Sequence, residues 1–334
     1  MLKRAGVRGF VEIHCHINRE NLHRMMENRE RELRFNYKFS SLLRKTGYDV
    51  TIGLVECDFN GETPTGKETE FLFDLFNNPQ LDILVPPIMR VTCENYVKFL
   101  DKFIEVYRTC SFRARLAPII LHYSSADISK LFEYYMKRDE FNKTLICVDF
   151  NGGNPVSQWS LVSLVTRESQ VLEKEFGEPC VRYAINIKYG KATKKQTIVP
   201  AKDLTIFAMG FNLFGTNHKI VPIMRDVGEY ELRTKLLNRT DYGYYSVEVA
   251  KDFIRDTSDY EVKLSDVLEE NRLAKVFNAE RHGLEALEIS TAIREHRLAD
   301  YLKSKQRLLE DQSIFKKIRK VNESIYDGKL SRYF

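Results

Sequence analysis

The chain has 334 residues, 43% of them hydrophobic and 30% charged, with a formal net charge of +5. That length is ample for a full hydrophobic core, and that balance excludes both an intrinsically disordered chain and a membrane-spanning one, since no apolar run nears the roughly 18 residues a bilayer crossing needs. The charge excess is too small to demand a nucleic-acid partner. The six cysteines, spread without a C-x-x-C pair, fit neither a disulfide framework nor a four-cysteine zinc knuckle.

The basic start Met1-Leu2-Lys3-Arg4 is followed by no apolar h-region, so the expected location is the cytoplasm, away from membranes. From there, short apolar runs rich in β-formers recur: GFVEIHCHI (9–17), YDVTIGLVECDF (48–59), LDILVPPIM (81–89), RLAPIILHY (115–123), TLICVDFN (144–151), VRYAINIKY (181–189) and LTIFAMGFNLF (204–214). Each is continuous rather than alternating, as expected of strands covered on both faces. Between them, Cys93 to Tyr107, Ala126 to Met136 and Trp159 to Phe176 repeat apolar residues at three- and four-residue spacing and read as helices.

Alternating strands and helices are the signature of βαβ units. An open doubly wound sheet would fit the alternation too. Polar and glycine-rich residues follow nearly every strand, which favours a (β/α)8-type TIM barrel with one strand missing, its sites at the C-terminal strand ends. The expected division is a barrel core over 1–225 and a mainly helical part over 226–334 packed on it. In the latter, Asp241 to Phe253 reads as a short strand or helix, and Leu264 to Lys320 as helical almost throughout, with Ser265 a candidate N-cap. No repeat, low-complexity segment or Pro/Gly linker stands out.

Several strand ends carry chemistry. His14 and His16 leave one face of the first strand and could share a divalent metal ion, a pattern that resembles amidohydrolase barrels, with His122, Asp149 and His218 as the later candidates. GETPTGK (61–67) nearly spells a phosphate-binding loop, but Glu68 stands where Ser or Thr would hold magnesium, and a plain turn explains it better. Glu56 and Asp58 leave the same side of the second strand; Asp58 is a candidate acid or base, or else a cap or turn residue. Asp149, Asn151, Gly152 and Gly153 close another strand, where glycines let the backbone approach a flat ligand and the polar groups read its edges. Asn186, Asn212, Asn217 and His218 are polar groups on otherwise apolar elements. Lys188, Lys191, Lys194 and Lys195 form one basic cluster and Lys303 to Lys320 hold another; either could hold phosphates or simply face solvent.

Together these stretches resemble the tRNA-guanine transglycosylase superfamily, its archaeal branch more than its bacterial one. Those enzymes are barrels that exchange a guanine in a nucleic acid for a 7-deazaguanine. LVECDFNG resembles the family strand bearing an aspartate associated with base handling, which places that role on Asp58. HYSSADISKLFEYYMKRDEF resembles a family strand and helix, and FNGGN sits where the family has a glycine pair lining the base pocket. AMGFNLFGTN resembles the family run G-[IV]-D-x-F-D, while RHGLEAL and AIREHRLADYL resemble its terminal helices; the likeness covers residues 48 to 305 in pieces.

The chain departs from the family in three places. Gly215 stands at the nucleophilic aspartate, no cysteine follows Cys180 to supply the C-x-C-x-x-C zinc cluster, and no aspartate near Pro86-Pro87 matches the one that recognises guanine. The resemblance therefore implies a divergent protein that exchanges or binds a guanine-type base in tRNA or DNA. Asp58 would be catalytic, Asp149, Asn151, Gly152, Gly153, Asn186 and Asn212 would hold the base, and the Lys188–Lys195 cluster would hold phosphates. The alternatives are a non-catalytic partner subunit in a homo- or heterodimer and a metal-dependent hydrolase using His14 and His16. No cofactor is expected except under the last reading, which needs one divalent metal.

Overall fold

FVEIHCHIN forms strand β1 (Phe10–Asn18) and VTIGLVECD forms β2 (Val50–Asp58), paired in parallel along their whole length from Phe10↔Val50 to Asn18↔Asp58. Helices α1 (Arg19–Glu27) and α2 (Arg29–Thr46) lie between them in the chain. This computed structural model describes residues 10–46, 50–110, 112–188, 196–216, 235–258 and 260–325. It is a mixed α/β protein in two compact units, one formed by Val7–Asp149 with Glu168–Tyr183, the other by Phe150–Arg167 with the chain from Ala184 onward.

The first unit continues through α3 (Gly66–Phe76), β3 (Ile83–Leu84), β4 (Ile88–Met89), α4 (Cys93–Thr109), β5 (Arg115–Leu116), β6 (Ile119–Ile120), α5 (Ser125–Met136) and β7 (Leu145–Asp149). Strands β3 and β4 pair with β2, β5 with β3 and β7 with β6, all in parallel. Two expected strands are each split in two by prolines, which have no N–H for a ladder. Pro86-Pro87 separates β3 from β4, and Pro118 separates β5 from β6. The interrupted backbone is still satisfied: Cys147 N–H donates to the Pro118 carbonyl at 2.9 Å, Tyr96 Oη to Pro87 O at 3.3 Å and Tyr135 Oη to Ile119 O at 2.9 Å.

The expected helices form where the periodicity puts them. Thr92 and Ser124 accept hydrogen bonds from the Asn95 and Asp127 amides and so cap α4 and α5. Helix α4 buries Tyr96, Phe99, Leu100, Phe103 and Ile104 along one stripe, each such side chain contributing roughly 1.5–3 kcal/mol. Helix α6 (Trp159–Phe176) and β8 (Val181–Ile187) carry the chain between the units.

In the second unit, β9 (Ile198–Pro200), β11 (Lys235–Asn238) and β12 (Gly243–Ser246) form an antiparallel sheet in the order β11-β12-β9, and β10 (Leu213–Thr216) lies beside β8. The run LTIFAMGFNLF, expected as one strand, is instead a 3-10 turn (Lys202–Leu204) and a short helix α7 (Thr205–Ala208) before β10. Gly210 at φ +90° turns the chain out of that helix, and a short apolar run suits a buried helix as well as a buried strand. Asp241 to Phe253 holds both alternatives: β12 and then a helix over Val247–Phe253.

Helices then follow over Leu264–Glu269, Ala274–Arg294, Leu298–Lys303, Gln306–Leu309 and Ser313–Ile325. The first starts one residue before Ser265, with Lys263 as N-cap, so Ser265 does not cap it. Leu236, Tyr245, Ile254, Val262, Val267 and Phe277 make the apolar core here. Asn278 accepts from the Leu237 amide at 2.9 Å and donates to the Lys235 carbonyl at 2.8 Å, covering the edge of β11. Among the described residues the strand pairings trace no closed barrel, and no helix is long and apolar enough to cross a membrane.

Candidate functional site

The ends of β2 and β7 are built alike. Asp58-Phe59-Asn60-Gly61 and Asp149-Phe150-Asn151-Gly152 follow strands, and each motif places a buried proline, Pro64 or Pro155, six residues beyond its aspartate. Both phenylalanines are buried. Both Asn-Gly pairs take positive φ: 53° and 84° at Asn60 and Gly61, 46° and 76° at Asn151 and Gly152. Each turn is closed by the same bond: Glu62 N–H donates to Phe59 O at 3.1 Å, Gly153 N–H to Phe150 O at 2.7 Å. Two central residues at positive φ mark a turn of type I′, for which Asn-Gly is the preferred pair. The sequence reading named each stretch separately and saw no repeat; the shared D-F-N-G-x-x-P pattern was the available signal.

At the first turn Asp58 is exposed, while Phe59 beside it is buried. Arg19, directly after β1, lies over the Phe59 ring at 4.8 Å, donates to Thr63 O at 2.8 Å and to Glu62, and forms an ion pair with the buried Glu68 carboxylate, Nε to Oε1 at 3.0 Å. Glu68 also accepts from the Thr65 amide at 2.6 Å and contacts His23 Nε2 at 2.7 Å. Burial favours its neutral form, but the Thr65 amide, His23, the Thr65 hydroxyl and Arg19 together hold the carboxyl below its ordinary range. Glu68 thus fills the start of α3 with its own carboxylate, which confirms GETPTGK as a turn and helix cap rather than a phosphate cradle. Arg19 and His23 were missed by the sequence reading, and Glu68 was named only as a departure from a phosphate-binding loop, because their pairing spans more than forty residues.

At the second turn the glycine loop is tied to β8. Gly152 N–H donates to Asn186 O at 2.8 Å, Lys188 N–H to Gly153 O at 2.9 Å and Phe150 N–H to Ile185 O at 2.9 Å. The structure therefore brings together Asn151, Gly152, Gly153, Asn186 and Lys188 of the expected set. Asn151 and Lys188 are exposed, whereas Asn186 is buried with φ 57°, an uncommon conformation that asparagine tolerates. Asp149, at the end of β7 in the first unit, is buried, and Asn212 is exposed before β10. Lys191, Lys194, Lys195, Asn217 and His218 lie outside the described residues. Gly152→Ala is expected to cost about 1–2 kcal/mol, because a Cβ is disfavoured at φ 76°; urea unfolding would read it.

The expected histidine pair is divided. His16 is exposed, but the His14 side chain is buried between Glu12 (Nδ1–Oε1, 3.6 Å) and Glu56 (Nε2–Oε2, 3.6 Å), and the Tyr183 hydroxyl donates to Glu12. Burial alone would lower the pKa of the imidazole; the two carboxylates overcome it and raise it to about 9. His14 thus forms part of a buried ion cluster with Glu12 and Glu56, while His16 on the same strand is exposed. Among the described residues no group of three or more His, Cys, Asp or Glu side chains is placed to hold a metal ion. No family model, no curated protein and no solved structure matches this chain.

Proposed function

We propose that the chain is a divergent member of the tRNA-guanine transglycosylase superfamily, built on a (β/α) barrel, that engages a guanine-type base in a nucleic acid. The observation that carries this reading is the Asp58 carboxylate. It is exposed at the C-terminal end of a parallel strand and is followed by an Asn-Gly turn that Arg19 holds in place. A carboxylate so presented can take and return a ring-nitrogen proton of a base, or attack a sugar carbon. The Asn151–Gly153 turn is fixed to β8 by backbone bonds with Asn151 exposed, which suits polar contact with a base edge, and exposed Lys188 beside it suits a phosphate.

Gly215, at the position of the family nucleophile, lies in β10 and has no side chain to attack with. That observation favours a second reading, a subunit that binds nucleic acid and pairs with a catalytic partner. Incorporation of labelled guanine into tRNA or DNA separates the two. If the chain is an enzyme, Asp58→Asn should lower exchange by at least about a hundredfold while leaving nucleic-acid binding nearly unchanged. If it is a subunit, the wild type should bind with a steep salt dependence and exchange nothing until a second protein is added. Failure to bind tRNA or DNA at low salt would overturn both readings, and exchange that survives Asp58→Asn would overturn the role of Asp58.

A further inference from the structure

The second unit holds a hydrogen-bonded chain that the proposed function does not use. Asp203, in the 3-10 turn before α7, is buried, and its Oδ2 accepts from the Tyr244 hydroxyl at 2.6 Å. The same hydroxyl meets His282 Nε2 at 2.7 Å. Tyr244, on β12, is buried, and His282, on the Ala274–Arg294 helix, is half-buried. Asp203 Oδ1 accepts from the Leu204 amide at 3.1 Å, which fixes the carboxylate. Phe214 packs edge-on against the His282 ring with centroids 5.1 Å apart, and Phe207 backs Phe214 at 5.3 Å.

The bond directions follow from the donor inventory. A carboxylate only accepts, so Tyr244 donates to Asp203, and its oxygen is left to accept from His282 Nε2–H. This selects the neutral tautomer of His282 whose Nδ1 carries a lone pair. We propose that Asp203, Tyr244 and His282 form a proton relay, with His282 Nδ1 acting as a base toward the ring N–H of a neutral aromatic heterocycle held beside Phe214.

The step balances. Nδ1 takes the ligand's proton, Nε2 passes its own to the Tyr244 oxygen, and Tyr244 passes its hydroxyl proton to Asp203 Oδ2. The ligand is left as its anion, His282 as the other neutral tautomer and Asp203 as the neutral acid. Within the relay the proton rests on Asp203 rather than on His282. Burial pushes Asp203 up to about 6, against the opposing Tyr244 hydroxyl and backbone amides, so it can hold a proton near neutrality. Burial pushes His282 down to about 4, so an imidazolium passes its proton on.

Four charged groups on these elements have partners of their own. Lys202 pairs with Asp311 at 2.8 Å, Arg281 with Asp256 at 3.0 Å and Glu285 with Arg239 at 2.9 Å, while Glu280 accepts from the Glu261 amide at 2.7 Å. With Lys202 and Arg281 so engaged and aromatic rings beside the outlet, a neutral ligand suits the site better than an anion.

Diethyl pyrocarbonate, which acylates a neutral imidazole nitrogen, is the probe. Nδ1 bonds the carbonyl carbon as the anhydride C–O bond breaks and ethyl carbonate leaves, and the Nε2 proton moves through Tyr244 to Asp203. Peptide mass mapping of the intact chain follows His282 separately from exposed His16 and His23. The rate at His282 should rise through about pH 6, where Asp203 ionises. Tyr244→Phe and Asp203→Asn should each lower it roughly tenfold or more, as loss of a charge-assisted hydrogen bond implies, with His16 and His23 unchanged as the check on folding. Nitrogen-15 NMR should show the Nε2–H tautomer at His282 in the wild type and lose that preference in Tyr244→Phe. A His282 that is unreactive in the folded chain, reacts equally in both variants, or titrates as an ordinary imidazole independently of Tyr244 would overturn the relay.

Discussion

Replacing His14 by Leu is expected to destabilise the protein by about 3–5 kcal/mol at pH 7, the cost of taking a cation out of a buried ion cluster. Glu12 and Glu56 both face the imidazole at 3.6 Å, and the side chains of His14, Glu12 and Glu56 are 6%, 7% and 14% exposed. Leu fills a similar volume but gives the two carboxylates no cation. Adding Glu56→Gln to the same variant should recover part of the loss, because one of the facing charges is then gone. Urea unfolding of the single and double variants provides the comparison, and a single-variant loss under about 1 kcal/mol would show that the cluster contributes little.

The same cluster gives the wild type a pH signature. The folded pKa of about 9 lies above the ordinary histidine value of 6.5, so the imidazolium contributes stability that is fully present below pH 6.5 and is lost as the pH rises through 9. A shift of that size corresponds to roughly 3 kcal/mol. Unfolding midpoints should therefore fall between pH 6.5 and 9 in the wild type and stay flatter over that window in His14→Leu.

Replacing Glu285 by Leu is expected to cost about 4 kcal/mol in the second unit, for a related reason. Glu285 is fully buried and accepts from the Tyr242 hydroxyl at 2.5 Å, from Arg239 Nε at 2.9 Å and from the Tyr301 hydroxyl, with Lys305 Nζ at 3.9 Å. Leu would leave two cations and two hydroxyls around an apolar side chain. Burial already holds Lys305 below its ordinary pKa, with Glu285 opposing that shift, so removing the carboxylate should push it lower still. Glu285→Gln keeps an acceptor for the tyrosines and loses only the charge, so its cost should be the smaller of the two. Equal costs would mean that the charge contributes nothing beyond the hydrogen bonds.

The locally encoded parts of the protein were legible. Strands β1, β2, β7 and β8 and helices α4, α5 and α6 fall where continuous apolar runs and helical periodicity put them, since both signals sit within one element. The splits at Pro86-Pro87 and Pro118 were also written in the chain, for proline breaks a ladder wherever it falls. Asp58 and the Asn151–Gly153 turn could be singled out because a polar residue ending an apolar run, or glycine beside asparagine, is a local signal.

What the sequence by itself determined is thus the order and type of most elements and the two Asn-Gly turns, because these depend on residues a few positions apart. Only the tertiary structure decided the charge partners. His14 and His16 share a strand face by the period of two, yet one is enclosed by Glu12 and Glu56 and the other is exposed, which depends on the register of β1 against β2. The partners of Arg19, the relay from Asp203 to His282 and the four groups around Glu285 join residues far apart in the chain. A carboxylate in an apolar stretch signals that some partner must exist, because an unpaired buried charge is too costly. Which residue it is depends on how the elements pack, and no local pattern carries that information.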